Sequence, residues 1–172
     1  GGGSALFGSS AIAGTINIIT KEPTRNSASI SHTLTSIGLS SALHHTTDNN
    51  ASIVSDDNKL GLAVFGQNTS KDAWDANGDG FTELSKISGQ TIGFRGYIKT
   101  GLYSKLTLEY HHLEEFRRGG DNLDLPPHEA MIAEQTKHGI NTGGLKYDWF
   151  SQNQKHRLNA FASMQHINRE SY

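Results

Sequence analysis

The sequence predicts an all-β fold: about seven antiparallel strands of the kind that line a transmembrane barrel. Three observations predict it. Apolar residues make up only 34% of the 172 residues, well short of the ~45–50% usual in globular domains, a figure that includes glycine. Segment after segment alternates apolar and polar residues with a period of two. Short turns alternate with long polar loops, the rhythm of bacterial outer-membrane barrels.

The first strand-like runs are Gly14–Thr20, a β-branched stretch closed by Glu22 and Pro23, and Ser27–Ser36. In the latter, Ala28, Ile30, His32 and Leu34 share one face and Ser29, Ser31, Thr33 and Thr35 the other. Further on the pattern sharpens. Leu60, Leu62 and Val64 line up, as do Ile92, Phe94 and Ile98 against Thr91, Arg95, Tyr97 and Lys99. Leu106, Leu108 and Tyr110 oppose Lys105, Thr107, Glu109 and His111. Leu145, Tyr147 and Trp149 oppose Lys146, Asp148 and Phe150, and Leu158, Ala160, Ala162 and Met164 oppose Arg157, Asn159 and Ser163. No stretch holds a 3.6-residue period over four turns.

Short turns are expected at Ser55–Asn58, Thr100–Ser104 and Ser151–Lys155, and long loops at Ser70–Lys86 and Gly119–His138. Loops of that length are uncommon inside compact domains and are usually functional. A soluble β-sandwich would also alternate, but it must bury its apolar sides. The wet face here carries Lys99, Lys105, Glu109, Lys146, Asp148 and Arg157, which suits a polar lumen. No run of 18 apolar residues forms a transmembrane helix, and closed barrels need none. Cysteine is absent, which removes disulfides and thiolate metal sites. A net charge of −2 argues against a nucleic-acid partner.

Residues 4–23, SALFGSSAIAGTINIITKEP, carry a family likeness. They resemble the end of the plug domain of TonB-dependent outer-membrane receptors, departing at Ala13, where glycine is commoner. Gly8 and Gly14 suit close backbone packing, and Asn17 would need partners if buried. The resemblance implies that residues 1–23 end a plug and residues 24–172 begin the barrel. It implies energy-coupled import, across the outer membrane of a Gram-negative bacterium, of a scarce ligand such as cobalamin or an iron–siderophore or haem complex. The expected partners are outer-membrane lipid, the TonB complex through a segment upstream of Gly1, and a small-molecule metal chelate. The start without Met, the missing signal peptide and the stop at Tyr172 within a strand pattern read as cuts from a barrel of ~22 strands. A passive porin or adhesion barrel, which would lack the plug-like segment, is one alternative. A soluble calcium-binding β-domain is another.

The sharpest chemical motif lies in the loop after the third strand. Asp75, Asn77 and Asp79 stand at relative positions one, three and five, followed by Gly80, with Phe81 at seven and Glu83 at nine. Oxygen ligands at that spacing with glycine at six begin a calcium loop. Position twelve is Lys86 and no helices flank the motif, so it is not an EF-hand. The expectation is a shortened Ca²⁺ site of Asp75, Asn77, Asp79, Glu83 and the Phe81 carbonyl. The same loop in cobalamin receptors carries calcium-binding aspartates, and this one is similar to it.

The next loop offers Arg117, Arg118, Asp121, Asp124 and His128 as candidate contacts for an anionic or metal-bearing ligand, stiffened by Pro126 and Pro127. Mutual salt bridges within the loop would explain the same residues. His111 and His112 are adjacent in a strand and point to opposite faces, a poor metal pair. Glu114 and Glu115 fail as an acid–base pair for the same reason. No H-E-x-x-H, G-x-S-x-G, kinase or P-loop motif is present, so no enzyme is expected.

Overall fold

A computed structural model describes residues 22–172. Most of the predicted plug tail, including Gly8, Gly14 and Asn17, lies outside the described residues. The described chain is all-β: β1 (Ser27–Ser36), β2 (Leu43–Val54), β3 (Leu60–Lys71), β4 (Lys86–Gly101), β5 (Ser104–Gly120), β6 (Ala133–Phe150) and β7 (Arg157–Ser171), with one 3₁₀ turn at Pro127–Glu129. The strands form a single open sheet in sequence order, each antiparallel to the last.

Register turns the alternation into two faces. On one, Leu62 stands beside Gly96 and Leu108 beside Leu145, which pairs with Ala162. The neighbouring rows add Val64, Phe94 and Tyr110, then Leu60, Ile98 and Leu106. On the other face Arg95 pairs with Glu109, Lys99 with Lys105, and Lys105 with Asp148.

Exposure runs opposite to that of a soluble sheet. On the apolar face Ile92 is 62%, Met164 66% and Ile53 68% exposed. On the polar face Tyr97 is 7%, Thr107 4% and Asp148 7% exposed. Soluble sheets pack their apolar side and wet their polar side. Here the polar side holds the packed groups. Tyr97 folds over Gly61, and Phe65 over Gly93. Gly93 is required by that approach: a Cβ there would meet Phe65 at 2.5 Å and the Tyr110 carbonyl oxygen at 2.8 Å.

The apolar face is a belt, not a whole side. On β6 it runs from Trp149 to Asn141, where hydrogen bonding to Tyr110 and His112 begins. Those eight steps measure about 26 Å along the strand, of the order of the ~25 Å outward band of outer-membrane barrels. Tyr147 and Trp149 mark the rim nearest the short turns.

Two expectations change. The long loops shrink from Ser70–Lys86 to residues 72–85, where β3 runs on to Lys71 and β4 takes in Lys86, and from Gly119–His138 to residues 121–132, where β6 already begins at Ala133. Ala133–Gly144 is polar on both faces, so no alternation reveals it, yet it pairs residue for residue with β5. Strand β2, LHHTTDNNASIV, is hidden the same way. Its polar side chains bond across the ladder instead: His44 to Thr69 at 2.9 Å, Gln67 to Asp48 at 2.7 Å and His32 to Thr47 at 2.8 Å.

The β2–β3 turn is set by side chains. Ser55 donates to Asp57 at 2.7 Å, the Lys59 N–H donates to Asp57 at 3.1 Å, and Asn58 takes φ 52°. Those bonds, Ser55 foremost, hold the Asp57 carboxyl at about 2. A lowered folded value means that this contribution is present above the unfolded carboxylate pKa and is lost as pH falls through about 2. A carboxyl-shift NMR titration should place the Asp57 midpoint near 2 and move it upward in Ser55→Ala. An unmoved midpoint would refute this account of the turn. Separately, Gly93→Val should destabilise the sheet by ~1–3 kcal/mol in thermal unfolding, and Gly66→Ala by less, since its Cβ would meet only the Thr91 carbonyl oxygen at 3.5 Å.

Candidate metal centre

The three connections at residues 37–42, 72–85 and 121–132 leave the same end of the sheet. The middle one is pinched at its base, where the Trp74 N–H donates to the Leu84 carbonyl at 2.9 Å and the Leu84 N–H returns the bond at 3.1 Å. The Trp74 indole lies against Gly38 of the first connection. Thr82 ties the loop to the end of β5: its backbone N–H and hydroxyl donate to the Gly120 carbonyl, and its hydroxyl accepts the Gly120 N–H at 3.1 Å. The acidic turn is thus held by its neighbours on two sides.

Within the turn, carboxylates gather backbone N–H groups. Asp75 accepts from Gly78 at 2.7 Å with one oxygen and from Gly80 at 2.8 Å with the other. Asn77 accepts the Asp79 N–H and donates its amide to the Asp79 carboxylate, both at 3.0 Å. Asp79 accepts the Phe81 N–H at 2.9 Å, and Glu83 reaches back to accept the Ala76 N–H at 2.5 Å. Gly80 has φ +91° with nothing within 4 Å of a Cβ, so backbone conformation and not space demands glycine there.

This wrapping brings ligand oxygens of Asp75, Asp79 and Glu83 within 4.8 Å of one another. Two oxygens on opposite sides of a calcium ion, each at ~2.3–2.6 Å, stand about 5 Å apart, so all three fit one coordination shell. Each carboxylate has about four lone-pair sites, so accepting one or two N–H groups leaves room for a cation. Asp75 is half-buried while Asp79 and Glu83 are exposed. The Gly80 N–H, with Gly78 behind it, holds the Asp75 carboxyl below its ordinary value. Asp75 therefore stays charged, and able to ligate, to lower pH than a free aspartate. Asn77 and Phe81 lie inside the same turn, at the positions expected to add an amide and a backbone carbonyl oxygen.

The five candidates of the following loop do not converge. Arg117 lies on the polar face and pairs with Glu115 at 2.7 Å. Arg118, one residue on, points to the opposite side and is 2% exposed, its guanidinium spent on the carbonyls of Gly119 and Asp121. Asp121 is buried and accepts the Ile132 N–H at 2.9 Å and the Asn122 amide at 2.7 Å. Both brace the loop's neck. Asp124 and His128 are exposed, and His128 stands 3.6 Å from Glu129. The sequence reading overlooked Trp74 and Thr82, which position the acidic turn. Their partners lie in other connections, so no local spacing signals them.

No family model, curated protein or solved structure matches this chain.

Isothermal titration of the full-length protein should detect Ca²⁺ uptake, because ligand charge count sets affinity in such loops. Asp79→Ala should weaken it about tenfold or more, and Asp75→Asn, which removes one ligand charge, should weaken it as well. An unchanged affinity in Asp79→Ala would place calcium elsewhere.

Proposed function

We propose that this chain forms the first strands of an outer-membrane receptor barrel of the TonB-dependent type, which imports a scarce ligand too large for passive pores. The observation that carries the barrel half of this reading is the inverted sidedness of the sheet: a continuous apolar belt left open beside a sheltered, charged opposite face. Lipid is the solvent that such a belt matches, and a watery or protein-filled lumen is what Arg95, Lys105, Glu109 and Asp148 match. The likeness of residues 4–23 to a plug terminus supports the receptor half. Connections of two to six residues at one end and up to fourteen at the other agree with periplasmic turns and extracellular loops.

In this reading the acidic turn is an extracellular calcium site whose ion would fix the loop surface against which the ligand lands. Cobalamin, ferric siderophore and haem are the ligand classes in view. The soluble calcium-binding alternative requires a cover for the belt, and the described residues supply none.

The test is membrane dependence followed by transport. The full-length protein should fractionate with outer membranes, stay folded only in detergent or lipid, and migrate faster unheated than heated in gel electrophoresis. Deleting its gene should abolish growth on one of cobalamin, a ferric siderophore or haem as limiting source. A water-soluble, folded, monomeric full-length product would end the proposal.

A further inference from the structure

The approach to β1 is an unusual path. Asn26 and Arg25 are tied to β2: the Val54 N–H donates to the Asn26 side-chain oxygen at 2.7 Å, and the Ser52 hydroxyl donates to the Arg25 carbonyl at 2.7 Å. Three residues earlier, Glu22 is bound on β4 and β5, with Lys105 at 2.7 Å and Arg95 at 3.8 Å. Strands are ~4.8 Å apart, so two to three spacings separate those anchors, about 10–14 Å. Three extended residues span about 10 Å, and the glutamate side chain covers the remainder. The segment must therefore run nearly straight across the strands, over the polar face, and Pro23 within it is buried.

The charges beneath it need an added carboxylate. Lys99 and Lys105 are directly opposed across β4 and β5, a like-charge pair that destabilises a ladder. Five cations, Arg95, Lys99, Lys105, Lys146 and Arg157, share this end of the face with two strand carboxylates. Glu109 is held by Arg95 at 3.2 Å and Asp148 by Lys146 at 2.9 Å, which leaves Lys105 to Glu22.

We infer that Glu22 is an ionic anchor: Lys105 and Arg95 form its docking site, and their pairing holds residues 22–26 as a strap across the polar face, fixing where the preceding chain enters. The inference stands on these ion pairs alone and holds whatever covers the apolar belt. Without Glu22, Lys105 loses its ion-pair partner in the strap and the strap keeps only its β2 ties. Reversing both partners should rebuild the lock in the opposite sense.

Thr24 is exposed, and the chain has no cysteine to interfere with labelling. A nitroxide on Thr24→Cys in the full-length protein, with any cysteine outside these 172 residues replaced, reports strap mobility by electron paramagnetic resonance. Glu22→Gln, which preserves shape, and Glu22→Lys should each raise the mobile fraction about fivefold, the scale of one partly exposed ion pair. Salt near 1 M, where the Debye length is about 3 Å, should do the same to the unsubstituted strap. Adding Lys105→Glu to Glu22→Lys should return mobility to within about twofold of the start. Unchanged mobility in Glu22→Gln and Glu22→Lys would overturn the anchor. Mobility that rises but is not restored by the charge swap would overturn Lys105 as its partner.

Discussion

Each strand hydrogen-bonds to the next without losing register, apart from one bulge between Lys99 and Gly101, and that ladder decides which side chains meet. A one-residue slip in a pleated sheet moves every side chain to the opposite face. Here it would carry Arg95, Lys105 and Asp148 into the belt and Phe94, Leu106 and Tyr147 among the charges. The cost of such a slip is set by the sharp contrast between the two faces. Around Leu60–Ile98–Leu106 the faces differ most, and there the contrast in solvation acts together with pairings such as Tyr97 over Gly61 and Arg95 with Glu109. Toward the loops the contrast fades, and paired side chains such as His44–Thr69 and Tyr110–Asn141 hold the register instead.

That gradient explains what the sequence disclosed. Strands rich in belt residues, β4, β5 and β7, were legible because one apolar face set against one polar face writes a period of two into the chain. Strand β2 and the first half of β6 were not, because both of their faces are largely polar. Polar residues such as Thr46, Asn49, Thr136 and Asn141 satisfy the ladder equally well on either side, so their order carries no period. Antiparallel pairing with an already placed neighbour is the only information that locates them.

The acidic turn was legible for a different reason. Its carboxylates, glycines and the hydrogen bonds among them all lie within nine residues, so local spacing brings Asp75, Asp79 and Glu83 together. Arg118 and Asp121 show the converse. Both carry charges that a reader assigns to a ligand, and both are consumed by carbonyls and N–H groups of their own loop neck. Burial, invisible in a string of letters, separates a recognition residue from a brace. Glu22 was beyond reach altogether, since its cation Lys105 follows 83 residues later.

The belt also sits off-centre. On β5 it ends near His112, while the strand continues through the eight residues from Leu113 to Gly120. That extension amounts to about 25 Å of paired sheet along the strand. In the proposed setting the sheet would act as a pedestal, lifting Asp75–Glu83 clear of lipid headgroups and into the carbohydrate layer that coats a cell. Recognition would then happen at a height set by backbone length, so shortening β3, β4, β5 and β6 together by two residues each would lower both long loops without changing a single loop residue.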